Sequence, residues 1–151
     1  MPVRPLAILA VGVLALPACA EHAFSPPDRQ AQVDQAVATF SVERYDTITW
    51  SSDEARALEG SVVWSARCRT CHGSLGQGTT EYAERQGLSV PSLVEPGWRY
   101  DNLRDSVLLR VHAGHAAGMP TWSVAGISSR EIDAVTWYLL EVLRPEVIGG
   151  G

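Results

Sequence analysis

Cys68-Arg69-Thr70-Cys71-His72 is the stretch that decides how this chain is read. Two thiols stand three residues apart, about one helical turn, and an imidazole follows directly. That arrangement suits one covalent reaction: both thiols add across the two vinyl groups of a haem, and the adjacent His offers a ring nitrogen to the iron. A CxxC pair also serves as a redox dithiol or as half of a four-ligand zinc site. The chain holds three cysteines in all, the third being Cys19. No second pair completes a zinc site, and the surrounding pattern is not the βαβ context of a thioredoxin-like dithiol.

The opposite side of the iron asks for a second donor. Apart from Met1 the chain has one Met, Met119, in Gly118-Met119-Pro120. A lone Met is ordinarily core filler on an apolar helix face. This one follows the Gly114–Gly118 stretch and precedes a proline, in a loop far enough past His72 to pass round a haem. Met119 is therefore the candidate distal ligand. His115, in the same loop, and His112, in a predicted helix with a surface or half-buried place, are its rivals. His22 has no predicted role.

Outward from the motif the pattern is helical. Ser51 with Glu54 reads as a capping box, so a helix starts near Ser52 and runs towards Cys68. Asp101 or Asn102 can cap a second helix, whose apolar face is Leu103, Val107, Leu108 and Val111 and whose end is Gly114. Ser128 with Glu131 is another capping box, and Ile127 can staple onto Ile132. The last helix carries Ile132, Val135, Tyr138, Leu139 and Val142 on one side, and Pro145 stops it. The fold class expected is all-α: short helices and Gly- and Pro-containing loops wrapped around one covalent haem.

Composition narrows the field further. The chain has 151 residues, 46% apolar and 19% charged, with a net charge of −5. These values exclude a wholly disordered chain and suit one globular domain. All basic residues are Arg. An acidic balance without an Arg cluster excludes phosphate-neutralising recognition, so no nucleic-acid partner is expected.

The N-terminus reads as an export signal over 1–18. Arg4 precedes an apolar run from Leu6 to Leu16, long enough for a signal peptide and too short to span a bilayer. Ala18-Cys19-Ala20 offers an A-x-A cleavage site. Leu16-Pro17-Ala18-Cys19 resembles a bacterial lipobox, which would make Cys19 a lipidated first residue and anchor the exported protein to a membrane. Residues 19–50 read as a tether and an extended segment: 21–35 polar and stiffened by Pro26-Pro27, 38–50 rich in β-branched and aromatic residues in rough alternation. That extended segment either lies on the domain or docks a partner. The domain proper is expected at 51–145, and 146–151 form a flexible tail.

These residues together resemble the class I c-type cytochromes, the single-haem carriers of bacterial respiratory chains, over roughly 52–144. Gly60, Trp64 and Cys68 stand four apart, as that family's glycine, aromatic and first haem cysteine do. Tyr138 matches the aromatic of its last helix. The resemblance implies that the first and last helices cross closely at Gly60, with Trp64 and Tyr138 packed around the crossing. It also implies that the Pro91 carbonyl, in Pro91-Ser92-Leu93, accepts a hydrogen bond from the free ring nitrogen of His72, and that Met119-Pro120 is the distal methionine segment. Trp98, Tyr100 and Trp122 are candidates to line the pocket or to bond a haem carboxylate, or else are core aromatics. Mitochondrial members meet acidic partners through a ring of Lys. Arg67, Arg69, Arg99 and Arg110 can replace only part of such a ring, which leaves the sign of the partner surface open.

The function implied is one-electron transfer between redox protein partners outside the cytoplasm, with His/Met-ligated iron. Two alternatives are a fixed haem relay in a membrane oxidoreductase complex and a haem enzyme or gas sensor with an open distal site.

Overall fold

The structure, a computed structural model, describes residues 28–150. The leader, Cys19, His22 and Pro26-Pro27 lie outside the described residues. Among the described residues there is no β-strand, only an isolated antiparallel bridge between His115 and Met119. The helices are α1 (Arg29–Ala38), α2 (Glu43–Asp46), α3 (Asp53–Val63), α4 (Arg69–His72), α5 (Glu81–Arg85), α6 (Arg104–Ala113), α7 (Ser129–Trp137) and α8 (Arg144–Gly149). Two π-helical stretches, Trp64–Cys68 and Tyr138–Leu143, make α3 to α4 and α7 to α8 continuous. The all-α architecture is as expected, and no helix among the described residues is long and apolar enough to cross a membrane.

The core is where α3, α6 and α7 meet. Val63, Trp64, Val107, Leu108, Ile132, Val135, Leu139 and Leu143 pack there with Tyr45, Leu93 and Ile127. Gly60 permits the α3–α7 approach. A Cβ at Gly60 would lie 2.5 Å from Tyr138 Cβ and closer still to the Ala134 carbonyl oxygen. At that distance only a hydrogen fits. Beside the crossing, the rings of Trp64 and Tyr138 are 6.4 Å apart, tilted. At the start of α7 the capping box is complete: Ser128 Oγ accepts from the Glu131 N–H, and Glu131 accepts from the Ser128 N–H. Ile127 and Ile132, flanking this cap, are both buried in the core.

Several expectations are corrected. The segment expected as a tether and an extended strand is helical at α1 and α2. Asp28 caps α1 by accepting from the Gln30 N–H, and Val33 and Ala36 are buried on the side facing α6. The β-branched and aromatic residues of 38–50 supply the buried Tyr45 and half-buried Phe40 and Ile48, anchors rather than a pleat. The α3 cap is Ser52, accepting from Ala55 N–H, one residue later than expected. Neither Asp101 nor Asn102 caps α6: Leu103 holds that position without a side-chain bond, and Asn102 takes a left-handed φ of 57°. Pro145 does not stop the last helix. It lies at the second position of α8, just after the π-helical stretch, and the helix continues past it, so 146–149 are helical rather than a loose tail.

Two buried charges organise this framework. Asp133 on α7 accepts from Trp50 Nε1 (2.8 Å) and Arg56 Nη2 (2.6 Å), with Arg104 Nη2 at 3.4 Å. It thereby ties the segment before α3 to α3, α6 and α7. Arg144 is 2% exposed. Its guanidinium donates to the Leu93 carbonyl, lies 4.8 Å above the Trp98 ring, and makes an ion contact of 2.9 Å with Asp101.

Candidate haem site

The π-helical stretch ends on Cys68, and α4 carries Cys71 and His72. A π turn widens the helix by one residue, and such turns recur at functional sites. The chain leaves α4 at Gly73 (φ 82°) and is knitted back onto it. Gly78 N–H donates to the His72 carbonyl (2.8 Å), Thr80 Oγ1 to the Thr70 carbonyl (2.9 Å) and Trp64 Nε1 to the Ser74 carbonyl (3.3 Å). Leu93 N–H then donates to Gly76 O (2.8 Å), bringing 91–93 alongside.

A cavity of about 460 Å³ opens against this motif. Cys68, Cys71, His72, Pro91, Trp98, Met119 and Trp122, seven of the residues named in the sequence for the haem, all line it and so face one space. Tyr100 and His115 line it as well; His112 does not. His112, expected at the surface or half-buried, is fully buried, its Nδ1 2.7 Å from the Tyr45 hydroxyl. Met119 reaches the cavity because α6 ends at Gly114, whose φ of 72° turns the chain sharply back. A Cβ at Gly114 would sit 2.6 Å from the Met119 carbonyl oxygen, so the Met119 segment lies directly over this turn.

The local electrostatics are consistent along the wall. Burial holds the His72 imidazole below its ordinary pKa, which keeps it neutral and its lone pair available. Burial, with Cys71 next to it, pushes the Cys68 thiol up to about 12, and burial raises Cys71 too. The two cysteines are not bonded to one another. The expected hydrogen bond from His72 to Pro91 is not made: His72 Nδ1 is buried without a partner. Pro91 instead packs its backbone near Gly78, where a Cβ would be 2.9 Å from the Pro91 carbonyl oxygen. Arg67, Arg99 and Arg110 line the cavity, and among the described residues no Asp or Glu does.

These features fit a haem. The volume lies in the range of about 300–1,000 Å³ usual for cofactor sites. The wall is mostly apolar, the donor set is two thiols, an imidazole and a thioether, and the arginines complement the two carboxylates a haem carries. Among the described residues no cluster of three or more His, Cys, Asp or Glu stands ready for a bare metal ion. Arg144 and the Tyr45–His112 pair are the parts of this region that sequence reasoning missed. The capping residue Asp28 was the available signal that the chain before residue 50 is folded.

Comparison with known proteins agrees with this geometry. A family model described as cytochrome c oxidase, cbb3-type, subunit III matches residues 55–139. The cbb3-type cytochrome c oxidase subunit CcoP of Azospirillum sp. (strain B510) is 30% identical over 73 residues, 48% of this chain and 24% of that protein. The cbb3-type cytochrome c oxidase subunit FixP of Azorhizobium caulinodans is 28% identical over 99 residues, 66% of this chain and 29% of that protein. The similarity thus spans under a third of either relative's length. No solved structure matches. With more than half its length matched, and with the CxxCH motif and the cavity inside the matched span, the chain belongs to the cbb3-type cytochrome c oxidase subunit III family and carries a class I c-type cytochrome domain.

Proposed function

We propose that this chain holds one haem c and passes one electron at a time between redox protein partners. The observation that carries the reading is the meeting of Cys68, Cys71, His72 and Met119 in the lining of one cavity. Cys68 and Cys71 would hold the group through thioether bonds, and His72 and Met119 would offer its iron a nitrogen and a sulfur donor. When bound, the haem supplies an iron that alternates between two oxidation states.

The chain's own residues set the terms of that exchange. His72 is kept neutral by burial, so no proton has to leave before it can bind metal. Met119 offers a sulfur donor, which favours the reduced state relative to two-His ligation. Trp98, Trp122, Leu139 and Val107 exclude water from the wall, which disfavours the extra positive charge of the oxidised state. The tight turn at Gly114 fixes the Met119 segment, which limits rearrangement as charge changes. Arg67, Arg99 and Arg110 are the residues placed to hold the haem carboxylates.

In this reading residues 1–18 are removed on export and Cys19 carries the lipid that keeps the domain at a membrane outside the cytoplasm. A second reading, a fixed haem relay within an oxidoreductase complex, is favoured by the names of the two relatives, both cbb3-type oxidase subunits. Co-purification with a complex after mild detergent extraction distinguishes it from a diffusing carrier.

The test of the site is a visible and near-infrared spectrum of the holoprotein. A low-spin haem c spectrum with a sulfur-to-iron band in the oxidised form is expected, and the band should vanish in Met119→Ala. Persistence of the band in that variant, or rapid carbon monoxide binding by the reduced wild type at neutral pH, would overturn the ligand assignment.

A further inference from the structure

Residues 28–50 lie outside the family match, yet they pack against the part of the domain that presents Met119. The loop from Gly114 to Ser123 closes on the last turn of α6 by two bonds and on itself by a third. Ser123 N–H donates to the His112 carbonyl (3.1 Å), Thr121 Oγ1 to the Ala113 carbonyl (2.9 Å), and His115 N–H to the Met119 carbonyl (2.9 Å). The loop is therefore only as fixed as the turn at His112 and Ala113. That turn is held from the N-terminal side. The Tyr45 hydroxyl is 2.7 Å from His112 Nδ1, and the Phe40 ring meets the His112 ring edge-on at 5.4 Å. Tyr45 and His112 are 1% and 3% exposed, so neither partner can turn to water instead. Helix α1 stands behind the loop as well: Arg29, Gln32 and Val33 share a second cavity, about 260 Å³, with His115, Met119 and Pro120.

We infer that residues 28–50 are a brace for the distal ligand, with Tyr45 and Phe40 as positioning residues acting on Met119 through His112. The inference rests on Met119 being the distal ligand. The wild-type brace would hold the Met119 sulfur in place for the iron; a loosened one would let the Met119 segment swing away more often. Opening of this kind is read by an exogenous donor that competes with Met119. Imidazole titrated into the oxidised holoprotein is the probe, followed by loss of the sulfur-to-iron band.

Tyr45→Phe keeps the ring and removes one buried hydrogen bond, so the apparent imidazole affinity should rise several-fold, up to about tenfold. Phe40→Leu should shift it in the same direction. Ile132→Val removes a core methylene away from the cavity; it should lower the unfolding midpoint and leave imidazole affinity at the wild-type value. Wild-type affinity in Tyr45→Phe, or an equal rise in Ile132→Val, would overturn the brace while leaving the ligand intact. A sulfur-to-iron band that survives Met119→Ala would overturn the ligand assignment and the brace with it.

Discussion

Gly60→Ala puts one methyl group where α3 and α7 cross. The added carbon would lie 2.5 Å from Tyr138 Cβ and 2.9 Å from the Ala134 carbonyl carbon. Contact between carbon atoms is optimal near 3.5–4.0 Å, so the overlap is about 1 Å. Both neighbours are fixed to helix backbone, and neither is the end of a flexible side chain. The helices must therefore separate, and Trp64 and Tyr138 lose their packing beside the crossing. Overpacking of this kind costs about 1–3 kcal/mol, and the upper part of that range applies because nothing nearby can swing aside. Alanine's better helix propensity returns about 1 kcal/mol. The net loss is about 1–2 kcal/mol. With a urea m-value of about 2 kcal/mol per molar, the unfolding midpoint of the holoprotein should fall by roughly 0.5–1 M. Gly149→Ala is the control: nothing lies within 4 Å of its added carbon, and it should stay within about 0.5 kcal/mol of wild type. A Gly60→Ala midpoint at or above that of the wild type would refute the close crossing.

Asp133→Ala leaves Arg56 without its buried partner and frees Trp50 and Arg104; a loss of about 3–5 kcal/mol is expected by chemical denaturation, and a loss below 1 kcal/mol would count against the cluster as an anchor. Ser128→Ala should cost about 1 kcal/mol at neutral pH. The Ser128 side chain, then its backbone N–H, holds the Glu131 pKa below its ordinary value. That contribution is present above the ordinary Glu pKa and is lost as pH falls through the lowered one. The stability gap between wild type and Ser128→Ala should therefore shrink on acidification; a gap that widens would be the wrong sign. Cys68→Ala/Cys71→Ala, which cannot hold haem covalently, should be largely unstructured by circular dichroism, because the large cavity is lined by Val107, Val135 and Leu139 of the core itself. Native-like cooperative unfolding of that variant without haem would contradict this.

The parts of the molecule legible in the sequence are those where local chemistry and tertiary demand coincide. Ser128 and Glu131 announce their helix because a cap is satisfied within four residues. The crossing at Gly60, Trp64 and Tyr138 is legible through the resemblance to the c-type cytochromes, whose spacing these residues share. Cys68, Cys71, His72 and Met119, which line one cavity, are legible as a candidate set since few side chains can do that chemistry, whereas Pro91 is legible only through the family resemblance. The rest depends on partners distant in sequence. Helix α1 carries only Ala and Val as apolar residues, and its two buried ones, Val33 and Ala36, matter only against α6. Tyr45 belongs with a histidine 67 positions away. Arg144 looks like a helix-end cation until Leu93, Asp101 and Trp98 close around it. Pro145 reads as a stop wherever the helix is taken as purely α, and the π turn before it is invisible to a 3.6-residue period.

The most direct test of the account is intact and peptide mass spectrometry of the protein matured in a host able to attach haem c. The account predicts one added haem, localised to the peptide that contains Cys68 and Cys71. A polypeptide recovered with both thiols unmodified would contradict it.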